Sequence, residues 1–229
     1  MLLCLVTDRR RLAGAGAPLE ASRRCLVDQA RFAAAAGIDL MQVRERDLDA
    51  ADLASVVTSL LEAVRGSRTR ILVNDRIDVA LACGADGVHL RSDSIDAADA
   101  RRLAPAGFLI GRSVHHPDDA VRAAGADYLI AGTVFPSASK PEAERWLGLA
   151  GLEAVVRAAR VPVLAIGGVA AERMGEIAAT GAAGVAAIGL FMRSGGAVQP
   201  ASEAPCGAIP LVDLAGRARA RFDSVDTAP

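Results

Sequence analysis

Aromatic residues are scarce in this chain, at 3%. Its core must therefore be built from Val, Leu, Ile and Ala, and 52% of the residues are hydrophobic. Net charge is nearly absent as well: 26 Lys and Arg stand against 27 Asp and Glu, leaving -1. Such a balance offers no basic footprint for nucleic acid. No stretch is long and apolar enough to span a bilayer. The N-terminal MLLCLVTDRR enters a strand-like run without a leading positive region, so no secretory signal is expected and a cytoplasmic location is. Cysteine is limited to Cys4, Cys25, Cys83 and Cys206, scattered and without CxxC spacing. Reduced, structural thiols are the expectation. Neither HExxH nor a histidine cluster occurs, which leaves no signature of a transition-metal site. GxGxxG is missing after the first apolar run, which counts against an open dinucleotide-binding sheet.

A repeated cadence is present instead. AGIDLMQVRER (36–46), CGADGVHLRSD (83–93), AGADYLIAGTV (124–134) and TGAAGVAAIGL (180–190) share one pattern. An alanine-rich helical run ends at a glycine, four or five apolar residues follow, and the chain then breaks into polar or Gly-containing sequence. Repetition of this kind signals βα units and a parallel sheet. The apolar runs are continuous rather than alternating, as expected when both sheet faces are covered. Strands are expected at 2–6, 40–43, 70–73, 87–90, 108–110, 128–131, 161–166 and 185–188, each followed by a helix-length gap. Residues 9–18 read as a loop, and Asp49 reads as a helix cap. Eight βα units in 229 residues fit a single-domain α/β fold, a (β/α)8 TIM barrel. The barrel core is placed at 1–193, a flexible Gly- and Pro-containing loop at 194–210, and a closing helix with a frayed C-terminus at 211–229.

In a barrel, chemistry sits where the strands end. Those ends carry Gln42, Arg44 and Arg46; Asn74 and Asp75; Arg91 and Asp93; Arg112, Ser113 and His115; Ser137, Ser139 and Lys140; Gly167 and Gly168; and Gly189. Four arginines precede Lys140, against two acids. That ensemble suits a polyanion, and glycines after the last two strands suit a phosphate. Alone, Arg44-Glu45-Arg46 reads as a solvated ion-pair run and Asp75 as a helix cap. His89, inside an apolar run, reads as a packed core residue, and His116, beside a helix start, as solvent-facing. His115 lies just past a strand end and is a candidate acid or base. Magnesium fits the residues present, because it requires only one or two carboxylates plus substrate phosphates.

As an ordered set, the motifs resemble the thiamine phosphate synthase family with its TenI-like relatives. The matching pieces are LVTD (5–8), QVRER (42–46), VNDRIDVAL (73–81), GADGVHL (84–90), IGRSVH (110–115), GADYLIAGTVFPSASKP (125–141), AIGGV (165–169) and GVAAIG (184–189). The resemblance implies thiamin biosynthesis: coupling of hydroxymethylpyrimidine pyrophosphate with thiazole phosphate, giving thiamine phosphate and pyrophosphate. It implies Gln42, Arg44, Arg46 and Asn74 as pyrophosphate contacts, Arg46 standing where the family has lysine. It further implies Asp75 as a magnesium ligand, Ser113 near the pyrimidine, and Ser137, Ser139 and Lys140 at the thiazole phosphate and the pyrophosphate. Gly168, Ile188 and Gly189 complete the phosphate cup. Partners are small phosphorylated molecules; self-association is common in the family.

One departure matters. The family's GQED, whose Asp is a second metal ligand, is here Arg91-Ser92-Asp93-Ser94, with Ser94 at the ligand position. Asp93 is one residue away and a substitute by loop shift; Arg91 is a substitute by charge. The TenI-like branch also lacks that acid. It is a thiazole tautomerase that needs no metal and uses a histidine matching His115. The synthase is placed first, the tautomerase second, and a non-catalytic thiazole-phosphate binder third.

Overall fold

A computed structural model describes residues 1–136, 146–192 and 211–224. Eight strands form a closed barrel in sequence order: β1 (Leu2–Val6), β2 (Leu40–Val43), β3 (Arg70–Asn74), β4 (Gly87–Leu90), β5 (Leu109–Val114), β6 (Tyr128–Gly132), β7 (Val163–Ile166) and β8 (Gly184–Ala187). All neighbours are parallel, and the ring closes with Leu2 beside Gly184 and Leu5 beside Ala187. Helices α1 (Arg9–Ala13), α2 (Leu19–Ala35), α3 (Ala50–Ala63), α4 (Ile77–Cys83), α5 (Ala97–Leu103), α6 (Pro117–Arg122), α7 (Gly148–Ala158), α8 (Met174–Ala179) and α9 (Leu211–Asp223) alternate with the strands. The single-domain (β/α)8 barrel expected from the repeats is thus the fold. No helix among the described residues is long and apolar enough to cross a membrane.

Strand side chains alternate between two cores. Leu3, Leu5, Met41, Val43, Ile71, Val73, Val88, Leu90, Ile110 and Val114 pack outward under the helices. Cys4, Val6, Leu40, Leu72, Tyr128, Ile130, Leu164 and Ala186 fill the barrel interior. Both faces are apolar, so the period of two is hidden in the sequence. The interior phase, continued to the C-terminal ends, belongs to Gln42, Asn74, His89 and Ser113, all buried or half-buried.

Local signals account for three of the helix starts. Asp49 caps α3, its carboxylate accepting from the Asp52 amide at 2.9 Å. His116 caps α6, with Pro117 in the first turn. Residues 9–13, expected as loop, form α1 instead, because Asp8 caps the Arg11 amide at 3.1 Å. Cys4 and Cys83 are free, and burial raises the Cys4 thiol to about 12. Cys25 is disulfide-bonded, which corrects the expectation of reduced thiols there. The expected 194–210 loop lies outside the described residues.

Candidate active site

A cavity of about 440 Å³ opens at the C-terminal end of the barrel, a size suited to a small-molecule ligand. Its floor is polar. Gln42 Nε2 donates to Asn74 Oδ1 at 2.8 Å. His89 is indeed a buried core histidine, but it also reaches the cavity. Its Nε2 is 2.9 Å from Ser113 Oγ and its Nδ1 is 3.1 Å from the Tyr128 hydroxyl. Burial lowers the His89 pKa to about 3, so the imidazole is neutral.

The wall is cationic. Arg11, Arg44, Arg46 and Arg91 all line the cavity. Burial and then repulsion from Arg44 and Arg91 depress the Arg46 pKa, against opposing pulls from Asp75 and Asp93. Among the described residues, Arg11, Arg44 and Arg46 form no salt bridge. Unpaired guanidiniums converging on one cavity are a device for holding an anion with more than one charge.

The QVRER segment is not the solvated ion-pair run its residues suggest in isolation. Glu45 is buried at 5% exposure and accepts from Thr7 Oγ1 at 2.7 Å, the Arg9 amide at 3.1 Å and Arg9 Nη1 at 3.2 Å. Burial is the main influence on its carboxyl and raises its pKa. Thr7 Oγ1 in turn accepts from the Arg44 amide at 2.9 Å. Glu45 thus ties the end of β1 to the end of β2 and fixes where the Arg44 side chain begins. Glu45→Ala is expected to destabilise the fold by about 3 kcal/mol, the low end for breaking a buried pair, since Arg9 keeps Asp47. For a chain of this size that corresponds to a Tm lower by about 6–12 °C in calorimetry.

Asp75 adopts a left-handed backbone at φ 62, rare outside glycine and tolerated best by Asp and Asn. Its Oδ1 is buried without a hydrogen-bond partner among the described residues, and its Oδ2 lies 3.7 Å from Arg91 Nη1. An orphaned carboxylate oxygen beside a cationic cavity is a fitting ligand for a hard cation. Asp93 does not join it. Its side chain is 65% exposed and bound to Arg91 Nη2 at 2.5 Å. No group of three or more His, Cys, Asp or Glu that could hold a metal occurs among the described residues.

His115 lines the cavity, and its Nδ1 is hydrogen-bonded to the Gly132 carbonyl. A carbonyl only accepts, so Nδ1 carries a proton, and Nε2 is the ring nitrogen left to exchange one. Gly167, Gly168, Ile188 and Gly189 line the same cavity. Gly168 has φ +62, and a Cβ there would lie 2.5 Å from the Pro136 carbonyl oxygen. Only glycine permits that approach.

Of the residues expected at the site, the cavity gathers Gln42, Arg44, Arg46, Asn74, Ser113, His115, Gly168, Ile188 and Gly189. Asp75 does not line the cavity but lies 3.7 Å from Arg91, which does, and Asp93 is at the surface. Ser137, Ser139 and Lys140 lie outside the described residues. Arg112 is a correction: it turns out of the barrel and donates to the Ile95 carbonyl at 2.6 Å. Arg11 takes its place as the fourth cavity arginine. Its signal was available, in an Asp cap followed by three arginines directly after β1.

Fold and site together define a (β/α)8-barrel enzyme with a cationic mouth and a glycine-lined cup. The chain belongs to the thiamine monophosphate synthase family, whose model matches residues 3–191. It is 42% identical over 174 residues to the thiamine-phosphate synthase of Methanoculleus marisnigri, covering 75% of this chain and 82% of that one. It is 43% identical over 161 residues to the thiamine-phosphate synthase of Methanoregula boonei, covering 69% and 74%. Among solved structures, thiamine phosphate pyrophosphorylase from Pyrococcus furiosus aligns with a TM-score of 0.73 at 30% identity, covering 98% of this chain and 96% of that one. A 3-hexulose-6-phosphate synthase, at 21% identity and a TM-score of 0.65, covers 97% and 100% and shares the fold. The chain is thus an enzyme of thiamin biosynthesis, a transferase of this family.

Proposed function

We propose that this protein couples hydroxymethylpyrimidine pyrophosphate to thiazole phosphate, releasing pyrophosphate and thiamine phosphate. One observation carries the choice: Arg44, Arg46 and Arg91 converge on the cavity, and the Asp75 carboxylate lies 3.7 Å from Arg91 Nη1. A diphosphate leaving group needs that much positive charge; a single phosphate anchor does not.

In this reading Arg44, Arg46 and Arg91 bind the pyrophosphate, with Asn74 at its side. Magnesium, held by Asp75 and the substrate's own phosphates, would add charge at the departing group. The guanidiniums stabilise the charge that develops as the C–O bond breaks, an effect greatest in a cavity that excludes water. Gln42 and Ser113 orient the pyrimidine so that its methylene faces the thiazole nitrogen, which captures the cation. The amides near Gly168, Ile188 and Gly189 hold the thiazole phosphate, and Ser137, Ser139 and Lys140 are assigned to the same phosphate and the pyrophosphate. Positioning two substrates in line is the second contribution of the site.

A second reading is favoured by His115. Its tautomer leaves Nε2 free to move a proton, as a thiazole tautomerase requires. The experiment is direct. Purified protein with both substrates and magnesium is expected to form thiamine phosphate, and EDTA is expected to stop it. No thiamine phosphate, together with isomerisation of the thiazole carboxylate phosphate in EDTA, would establish the tautomerase in its place.

A further inference from the structure

Tyr128, His89 and Ser113 form a hydrogen-bonded row beneath the cavity, and only Ser113 and His89 line it. Tyr128 opens β6, His89 sits in β4, and Ser113 lies between them in β5. A neutral imidazole has one N–H and one lone pair, so the row can run in two directions. In the first, the Tyr128 hydroxyl donates to Nδ1, Nε2–H donates to Ser113 Oγ, and the serine hydrogen points elsewhere. In the second, Ser113 donates to Nε2, Nδ1–H donates to the tyrosine oxygen, and the tyrosine hydrogen needs another acceptor.

The surroundings of Tyr128 separate the two. It is 4% exposed, and its hydroxyl has no hydrogen-bond partner among the described residues other than His89. The ring is closely held: a Cβ on Gly111 would stand 2.1 Å from Tyr128 Cζ and 2.3 Å from its hydroxyl oxygen. The second direction therefore buries an O–H with nothing to accept it, which is the costly arrangement. The first leaves no buried donor unmatched. Its one unused hydrogen is that of Ser113, at the cavity wall, where a ligand or water accepts it.

We infer that Tyr128 fixes His89 as the Nε2–H tautomer and thereby makes Ser113 a hydrogen-bond donor to the ligand. Tyr128 and His89 are positioning residues, and the floor of the cavity selects a ligand atom that accepts. An unprotonated ring nitrogen of a pyrimidine has that character. The ligand assignment rests on the coupling reading above; the tautomer does not.

The test therefore has two arms. In the first, long-range proton–nitrogen correlation spectra are recorded at neutral pH on nitrogen-15-labelled protein, with His89 assigned by its loss in His89→Asn. Protonated Nε2 and bare Nδ1 are expected; a protonated Nδ1 overturns the proposal, whatever reaction the protein catalyses. In the second, Tyr128→Phe removes only the hydroxyl. It is expected to release the tautomer preference and raise KM for the pyrimidine pyrophosphate about 3- to 10-fold, the scale of one net hydrogen bond. KM for the thiazole phosphate should not move, whereas a general loss of structure would shift both. Ser113→Ala should match the effect, and adding Tyr128→Phe to it should do no further harm. An unchanged pyrimidine KM, or full additivity of the two variants, overturns the row as a single device. Absence of thiamine phosphate in wild-type protein would remove the coupling reading and leave the spectroscopic arm to decide the tautomer.

Discussion

Asp75→Asn is expected to lower magnesium-dependent coupling by about 10²–10³-fold, the usual scale for losing one preorganised charge-stabilising group. The substitution isolates the charge. Asparagine tolerates the left-handed backbone that Asp75 occupies at φ 62, so the turn after β3 keeps its shape. Size is preserved, and the backbone amide of residue 75 still donates to the His89 carbonyl at 2.9 Å. What changes is the buried oxygen without a partner, which loses its negative charge. Activity should then respond weakly to magnesium, because the remaining acid nearby, Asp93, is engaged by Arg91. Titration of magnesium against initial rate checks this. A variant with wild-type rate and wild-type magnesium dependence would remove Asp75 from the site. The tautomerase reading expects that same indifference to the metal in the wild-type protein.

How far the site could be read in advance depended on where each strand stops. The glycine-punctuated repeats made the barrel legible, and in a barrel the strand ends are adjacent whatever lies between them. Gln42, Asn74 and Gly168 were accessible by that argument. Arg112 is not legible in this way, because the apolar run stops at 110 whereas β5 runs to Val114. With Ile110 and Val114 packed outward, alternation throws Arg112 outward and Ser113 inward. The ambiguity is a property of parallel barrels: both faces are apolar, so nothing in the run 108–114 marks the phase until a partner strand supplies it. Glu45 was hidden for a related reason. Its partners Thr7 and Arg9 are 36–38 residues away, and no local pattern distinguishes a charge that will be buried against them from one that stays in water. The tyrosine–histidine–serine row is equally invisible, since its members come from three different strands.

Arg44→Met is the second large effect, expected to reduce kcat/KM for the pyrimidine pyrophosphate about 10- to 150-fold, as for loss of a charge-assisted contact of about 1.5–3 kcal/mol. Arg44 lacks a salt-bridge partner among the described residues, so its charge is available to a ligand. Its start is held by the Thr7 hydroxyl, itself held by Glu45, so the side chain reaches the cavity from a fixed point. Arg44→Lys should recover only part of the loss, because an ammonium restores charge but not the bidentate fork. Stability should move the opposite way. Burial, and then repulsion from Arg44 and Arg91, lowers the Arg46 pKa. Taking one like charge away relieves the fold, so Arg44→Met is expected to melt slightly higher than wild type while working far less well. This trade belongs to a site arranged to bind a polyanion rather than to maximise the stability of the fold. Melting curves with and without added pyrophosphate check it: pyrophosphate should raise the Tm of the wild type more than that of the variant. Equal shifts in the two proteins, or an unchanged kcat/KM, would show that Arg44 does not hold the leaving group.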